Sequence, residues 1–169
     1  MRRSYLTALS AAAPEPGERL GAIDVGSNSI RLLVAEHDKE TGIKVVDEVK
    51  DQPRLAAGMA ESKRLDEFAM ARALQTLARM REVAERRGVR RISAVATSAV
   101  REAENGKAFV DRVRREVGLP LRIIDADSEA ALSWRSVAQH FPLSQGRALV
   151  ADIGGGSLEL IGAINGLVE

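Results

Sequence analysis

Two short segments of the chain repeat the same order of acidic, glycine and serine residues. Residues 24–32, DVGSNSIRL, align without gaps with residues 152–160, DIGGGSLEL, at an offset of 128 residues (152 − 24). In each copy an apolar stretch ends in Asp, a turn of small residues follows, and a second apolar stretch leads away. Glycine lets backbone N–H groups approach an anion closely, and serine hydroxyls add donors. One copy is typical of an ordinary β-hairpin, but the duplication favours phosphate binding.

We expect the two turns to face each other and to hold a chain of phosphates from both sides. The predicted phosphate-binding residues of the turns are Gly26, Ser27, Asn28, Ser29, Gly154, Gly155, Gly156 and Ser157. Asp24 and Asp152, at the ends of the first apolar stretches, could face a cation that accompanies the phosphates, directly or through water. The chain has no cysteine and two histidines, so we expect a hard cation held by oxygen, with Mg²⁺ the default among divalent cations.

Composition and charge exclude several classes of function. Lys+Arg 25 against Asp+Glu 24 gives a net charge of +1, too balanced for a general nucleic-acid or membrane binder. No segment approaches the ~20 apolar residues needed to span a bilayer. The first residues, 1–18, contain two arginines and a short apolar run, but Thr7 and Ser10 interrupt that run and argue against a secretory signal. We therefore predict a flexible extension over residues 1–18 and a soluble, cytoplasmic protein.

The order of predicted elements indicates an α/β fold. Three β-branched, apolar stretches come first, at 20–25, 30–36 and 43–49. Helices follow, capped by Asp66, Asn105 and Asp127, the last running to Phe141, and they alternate with strands at 91–96 and 121–124. Strands at 148–153 and 158–164 flank the second turn. Strands first and alternation afterwards predict a mixed sheet covered by helices.

Four segments of the chain resemble the exopolyphosphatase/guanosine pentaphosphate phosphatase (Ppx/GppA) family. They are AIDVGSNSIRLLVAE, VATSAVREAENG, IIDADSEAALSW and LVADIGGGSLELIG, in the family's order. The resemblance covers nearly all of residues 20–169 and implies a ribonuclease H-like, actin-type ATPase domain, of the superfamily that includes sugar kinases and heat-shock ATPases. We expect this domain at 19–146, and the first hairpin of a second such domain at 147–169. Because relatives continue beyond this hairpin, we expect weak or absent turnover by these residues alone.

The resemblance also selects one acidic residue from several. Asp125, Asp127 and Glu129 all lie near the start of a predicted helix, where acidic side chains also offset the helix dipole, and spacing does not separate them. The family's catalytic glutamate precedes an Ala in a matching segment. By that implication Glu129 is the general base that deprotonates the attacking water.

Further residues receive roles from the resemblance, each with an ordinary structural alternative. Asp152 and Glu159 match the family's metal-associated acids, but Glu159 could simply lie on the strand surface. Arg101 lies in ATSAVRE, which resembles the family's phosphate-contacting segment, and a guanidinium can bind phosphate bidentately. Its alternative is a solvent-facing arginine. Apart from the resemblance, the basic run at 79–91 could let a polyphosphate chain lie along it, but the favoured interpretation is a solvated helix face stabilised by the helix dipole. Trp134 is interpreted as a core or helix-packing residue and not as a base-stacking platform, because no other aromatic residue accompanies it.

The activity that the resemblance implies is hydrolysis of phosphoanhydride bonds, with a part in the stringent response. The implied substrate is inorganic polyphosphate or guanosine pentaphosphate, and no residue reads a guanine base, so the choice is open. A homodimer of the full-length protein is also open. Two other functions stay possible on the sequence: a sensor that binds phosphate or the alarmone without hydrolysis, and a sugar or acetate kinase of the same superfamily.

Overall fold

The computed structural model describes residues 14–40 and 42–168. The strands in these ranges are β1 (Arg19–Val25), β2 (Ile30–Asp38), β3 (Gly42–Asp51), β4 (Arg91–Ala96), β5 (Leu121–Ile123), β6 (Arg147–Ile153), β7 (Leu158–Ile164) and β8 (Leu167–Val168). The helices are α1 (Met59–Ser62), α2 (Glu67–Arg86), α3 (Ser98–Glu102), α4 (Gly106–Arg112), which continues as a π-helical turn (Val113–Val117), and α5 (Ala126–Ala138). Within the described ranges, none of these helices has the length and apolar character to cross a membrane.

The larger sheet is mixed, as the order of elements predicts. Its five strands lie in the order β3-β2-β1-β4-β5. The first three form an antiparallel meander, whereas β4 pairs in parallel with both β1 and β5. Parallel neighbours need a long connection, and helices α1 to α4 supply it. The smaller sheet is antiparallel, in the order β6-β7-β8.

The hydrophobic core lies between one face of the larger sheet and the helices α2 and α4. Alternate residues of β1 and β2, among them Ile23, Val25 and Leu32, face this core and are fully buried, as the two-residue period of a strand requires. The buried side chains of α2 recur at helical spacing along one side. Aromatic residues are scarce, and Phe109 of α4 is the largest fully buried side chain.

The first turn of α5 differs from the prediction. Asp125, and not Asp127, is the N-cap residue, because its backbone is extended and its carboxylate accepts a hydrogen bond from the Ser128 N–H at 2.7 Å. The helix ends at Ala138, so the predicted extension to Phe141 was also wrong. The Asp66 cap of α2 is confirmed, with the Ala69 N–H donating to its carboxylate at 2.9 Å.

Two other local features depart from the sequence interpretation. Asn105 precedes α4 as predicted, but its side chain caps nothing and instead bonds the N–H and the carbonyl of Leu65, at 2.8 and 3.0 Å. It therefore ties the start of α4 to the loop before α2. Helix α3, whose five residues are too few to show a period, was not predicted.

The structure describes residues on both sides of the two predicted boundaries, at 18/19 and 146/147. Residues 1–13 of the predicted flexible extension lie outside the described residues, but Gly17 and Glu18 exchange backbone hydrogen bonds with His37 and lengthen the β1–β2 ladder. The predicted division at residue 147 coincides with the start of β6 and stays a prediction.

Two arginines of the basic run, Arg79 and Arg87, are exposed, whereas Trp134 is half-buried. Arg79 and Arg87 form exposed ion pairs with Asp51 and Asp47 of β3, in agreement with a solvated helix face. Trp134 is half-buried on α5, a helix that contributes no fully buried side chain.

Two phenylalanines offer a matched test of the core. Phe109 is 0% exposed and Phe68, on α2, is 77% exposed. Phe109→Ala should lower the free energy of unfolding by about 3–5 kcal/mol, because it removes buried apolar area and leaves a cavity. Phe68→Ala should change it by less than about 0.5 kcal/mol. Urea unfolding followed by circular dichroism measures both, and equal effects would contradict the core described here.

Candidate functional site

The two repeated segments form equivalent hairpins. In the first, Asp24 pairs with Arg31 and the Gly26 N–H donates to the Ser29 carbonyl at 3.0 Å. In the second, Asp152 pairs with Glu159 and the Gly154 N–H donates to the Ser157 carbonyl at 2.9 Å. Each position corresponds at the same offset, so the repeat in sequence is also a repeat in backbone structure.

The two turns face each other in direct contact, as the repeat predicts. A Cβ added to Gly155 would lie 2.8 Å from the Asn28 Cβ and 3.2 Å from the Asn28 N. A Cβ added to Gly156 would lie 2.6 Å from the Ser27 Oγ. Distances this short leave no room for a side chain, so both glycines are needed for the turns to approach.

A cavity of about 170 Å³ lies between the turns. Eleven of the predicted site residues line it: Asp24, Gly26, Ser27, Asn28, Ser29, Glu129, Asp152, Gly154, Gly155, Ser157 and Glu159. The cavity walls therefore carry both groups that bind anions and acids that bind cations. Gly156 and Arg101 are the two predicted residues outside this lining.

Thr97 and Ser98, which the sequence analysis did not assign to the site, also line the cavity. The Ser98 and Ser27 hydroxyl oxygens lie 2.9 Å apart and both side chains are buried. Sequence reasoning could have assigned these two residues to the site, because they are a small polar pair that directly follows β4. Strand β4 is parallel to β1, so its end lies beside the first turn.

The first turn is braced from outside the cavity. The Asn28 carbonyl accepts a hydrogen bond from the Arg54 N–H at 3.1 Å, and the Ser27 carbonyl accepts one from the Ala56 N–H at 2.9 Å. These carbonyl oxygens, which would repel an anion, are therefore held by the loop before α1.

Glu159 lines the cavity and does not lie on the strand surface alone. It lies directly opposite Asp152 in the β6–β7 ladder, and both line the cavity. Directly opposed side chains of an antiparallel pair share one face, and like charges in that position destabilise a sheet. Asp152 also accepts a hydrogen bond from the Ser133 hydroxyl of α5. The unfavourable acidic pair favours a cation at this wall.

The acids do not form a metal cage by themselves. Across residues 14–40 and 42–168, no three acidic or histidine side chains come close enough together to hold a metal ion. Magnesium, however, is usually held by one or two carboxylates together with substrate phosphates and water. Asp152 and Glu159 fit that mode, in which the cation arrives with the phosphates.

The structure places Arg101 behind Glu129. One guanidinium nitrogen donates to the Glu129 carboxylate at 2.7 Å and to the Ile124 carbonyl at 3.2 Å. The side chains of Arg101 and Glu129 are 22% and 15% exposed. Arg101 is therefore not the solvent-facing arginine of the alternative interpretation, and its contacts are with the predicted base.

Asp24 has a raised pKa. The largest cause is loss of hydration beside the residues that line the cavity, and repulsion from Glu129 comes next. Attraction to Arg31 opposes these effects, and Asp152 adds a smaller rise. Within the part of the chain that the structure describes, the lining of the cavity carries four acidic side chains, those of Asp24, Glu129, Asp152 and Glu159, and no basic one.

The comparison with known proteins assigns the family. The chain matches the model of the Ppx/GppA phosphatase family over residues 33–169 and belongs to that family. It is 34% identical over 147 residues to exopolyphosphatase 1 of Mycobacterium tuberculosis, covering 87% of this chain and 43% of the relative. It is 36% identical over 140 residues to the guanosine-5'-triphosphate,3'-diphosphate pyrophosphatase of Vibrio parahaemolyticus, covering 83% of this chain and 28% of the relative.

The same comparison confirms the predicted fold class, the actin-type α/β domain with a mixed sheet flanked by helices. An exopolyphosphatase structure from Cytophaga hutchinsonii matches with a TM-score of 0.84 and 33% identity. That match covers 89% of this chain and 48% of the other. The chain therefore spans less than half the length of these relatives.

The turn contact can be tested with two glycines of the second hairpin. Gly155→Ala should force the turns apart and weaken the binding of inorganic triphosphate, because the new Cβ collides with Asn28. Gly162→Ala is the control, since its Cβ meets nothing within 4 Å. Isothermal titration calorimetry measures both affinities, and equal affinities would argue against a site formed between the turns.

The raised pKa of Asp24 predicts a pH dependence in metal-free buffer. Because the pKa of Asp24 is higher in the folded protein than in the unfolded chain, ionisation of Asp24 lowers the free energy of unfolding at pH values above its raised pKa. Below pH 3.8, the ordinary pKa of this group, Asp24 is protonated in both states and has no such effect. Asp24→Asn should therefore raise the free energy of unfolding at neutral pH, and this gain should vanish below pH 3.8. Urea titrations across pH measure it.

NMR titration of the Asp24 carboxyl carbon measures how much the charge of Glu129 contributes to the raised pKa of Asp24. Glu129→Gln should lower the pKa of Asp24, because it removes the second-largest cause of the rise, and Asp127→Asn should leave it unchanged. An unaltered pKa in Glu129→Gln would contradict the charge coupling.

Proposed function

We propose that these residues form part of a phosphoanhydride hydrolase that releases terminal phosphate from inorganic polyphosphate, guanosine pentaphosphate, or both. The observation that carries the proposal is the cavity in which two glycine-serine turns, Glu129 and the acidic pair Asp152 and Glu159 meet. The names of the Mycobacterium and Vibrio relatives supply the two substrate classes. A cytoplasmic location and a homodimer stay predictions.

Binding of the phosphate chain falls to the turns. Their small residues let backbone N–H groups lie against phosphate oxygens, and the hydroxyls of Ser27, Ser29 and Ser157 add donors. With two of its carbonyls held by the loop before α1, the first turn presents mainly donors to an anion. Two facing turns grip consecutive phosphates, which orients the terminal bond for attack from one side.

Glu129 is proposed as the general base. It lines the same cavity as the turns, and its carboxylate would take a proton from a water placed in line with the terminal phosphoanhydride bond. Removal of that proton as the water oxygen approaches phosphorus avoids a cationic intermediate. Fixed backbone donors then stabilise the charge that develops on the phosphate oxygens.

Asp152 and Glu159 would hold Mg²⁺, or another divalent cation, together with the substrate phosphates, and Asp24 would contact it directly or through water. When bound, the cation supplies compensation of negative charge on the phosphate oxygens. This role agrees with the like-charged pair in the β6–β7 ladder and with the raised pKa of Asp24.

The test compares two acids in the first turn of α5, in the protein at its natural length. Glu129→Gln should lower phosphate release about 10²–10⁴-fold, the usual contribution of a general base. Asp127→Asn should leave it unchanged, because Asp127 is exposed and lies outside the cavity lining. Phosphate release from polyphosphate and from guanosine pentaphosphate, assayed side by side, measures both variants.

The outcomes separate the alternative functions. Full activity in Glu129→Gln would contradict the proposed base. Tight binding of either substrate without release by the unmodified protein would indicate a sensor, and transfer of phosphate to a sugar or to acetate would indicate a kinase.

A further inference from the structure

The proposed function assigns no role to Arg101, although this residue contacts the proposed base Glu129. The sequence suggests that its guanidinium binds phosphate, but it lies outside the lining of the cavity between the turns. Its nitrogen contacts are the Glu129 carboxylate at 2.7 Å, the Ile124 carbonyl at 3.2 Å and the Glu102 carboxylate at 3.9 Å. Those groups are protein acceptors that a phosphate would have to displace.

The charge around Arg101 also opposes a phosphate ligand. Two carboxylates lie within ion-pair distance, and the positive charge contributes to the lowered pKa of a third, Asp125, although hydrogen bonds from Ser128 are the larger causes there. An arginine among three acids is already compensated. Its guanidinium therefore has little net attraction left for an anion.

The contact with Glu129 has the geometry of a positioning interaction. Arg101 lies on α3 and Glu129 on α5, so the ion pair joins two elements that are 28 residues apart in sequence. The Ile124 carbonyl, directly before the N-cap of α5, accepts from the same nitrogen and fixes the guanidinium relative to the helix start. One carboxylate oxygen of Glu129, Oε2, is held in this way, which leaves Oε1 for another partner.

We propose that Arg101 is a positioning residue that holds the Glu129 carboxylate in its reactive orientation, and that it is not a ligand of the substrate phosphates. The proposal rests on the proposed function of Glu129 as the base. A base acts efficiently only when its oxygen lies at the correct distance and angle from the water, and an error of about 1 Å can cost about 10²-fold in rate. Arg101 would prevent such an error by removing the rotational freedom of the Glu129 side chain.

A kinetic comparison distinguishes the two roles, with the protein at its natural length and polyphosphate as substrate. If Arg101 positions the base, Arg101→Gln should lower kcat about 10–100-fold with KM nearly unchanged, because an interaction specific to the transition state is lost. Arg101→Lys, which keeps a charged donor, should recover part of kcat. If Arg101 binds phosphate, KM and the dissociation constant for triphosphate should rise instead, and that result would overturn the proposal.

A double-mutant cycle gives an independent readout. If Arg101 acts through Glu129, the variant carrying both Arg101→Gln and Glu129→Gln should be no slower than Glu129→Gln alone. Multiplying losses would show that Arg101 acts on something else and would overturn the positioning role. Arg64→Gln is the matched control, since its exposed ion pair with Glu104 lies outside the cavity lining, and its kcat should be unchanged.

Failure of this inference can be told apart from failure of the proposed function. If Glu129→Gln keeps full activity, the base is wrong whatever Arg101 does. If Glu129→Gln is inactive while Arg101→Gln changes only KM, the base stands and the positioning role falls. Thermal unfolding of each variant identifies loss of the fold, and in that event the Arg101→Lys comparison decides between the roles.

Discussion

The close approach of two polypeptide turns is the constraint on which the rest of the site depends. Gly155 and Gly156 lie against Asn28 and Ser27 at distances that admit no Cβ. This contact sets where the smaller sheet sits relative to the larger one, and therefore where Asp152 and Glu159 lie relative to Glu129. The close-packed interior of the larger sheet supplies the rigid support that such a contact needs.

The electrostatic arrangement follows from the same contact. Bringing the hairpins together places Asp24, Glu129, Asp152 and Glu159 around one cavity, and the charges of Glu129 and Asp152 contribute to the raised pKa of Asp24. The protein compensates them unequally. Glu129 is paired with Arg101, and Asp152 accepts a hydrogen bond from the Ser133 hydroxyl. Asp24 lies opposite Arg31 in the β1–β2 ladder, but loss of hydration and repulsion outweigh that attraction, so its pKa is raised. These acidic side chains line the cavity beside the two turns, where a cation that accompanies phosphate would offset their charge.

The sequence predicted which residues come together better than it predicted their individual hydrogen-bond partners. The repeat predicted that both turns come together with Asp24 and Asp152 beside them, because hairpin register follows from local pattern. Glu129 and Glu159 were selected by the family resemblance. The cap of α5 was misplaced by two residues, since Asp125 and Asp127 carry the same side chain and only backbone geometry separates them. Helix α3 was missed because five residues show no period. The partner of Arg101 could not be predicted, as that contact joins distant elements whose packing no local pattern encodes.

Helix α5 connects the proposed base to the smaller sheet. It carries Glu129 in its first turn and Ser133 one turn later, and Ser133 is bonded to Asp152 of the smaller sheet. A helix is stiff over this length, so the separation of Glu129 and Ser133 along the helix axis is fixed at about 6 Å. The hydrogen bond from Ser133 therefore ties Asp152 of the smaller sheet to the helix that carries Glu129. Any shift of the smaller sheet that preserves this bond must carry the helix with it, so the acidic wall and the proposed base would move together.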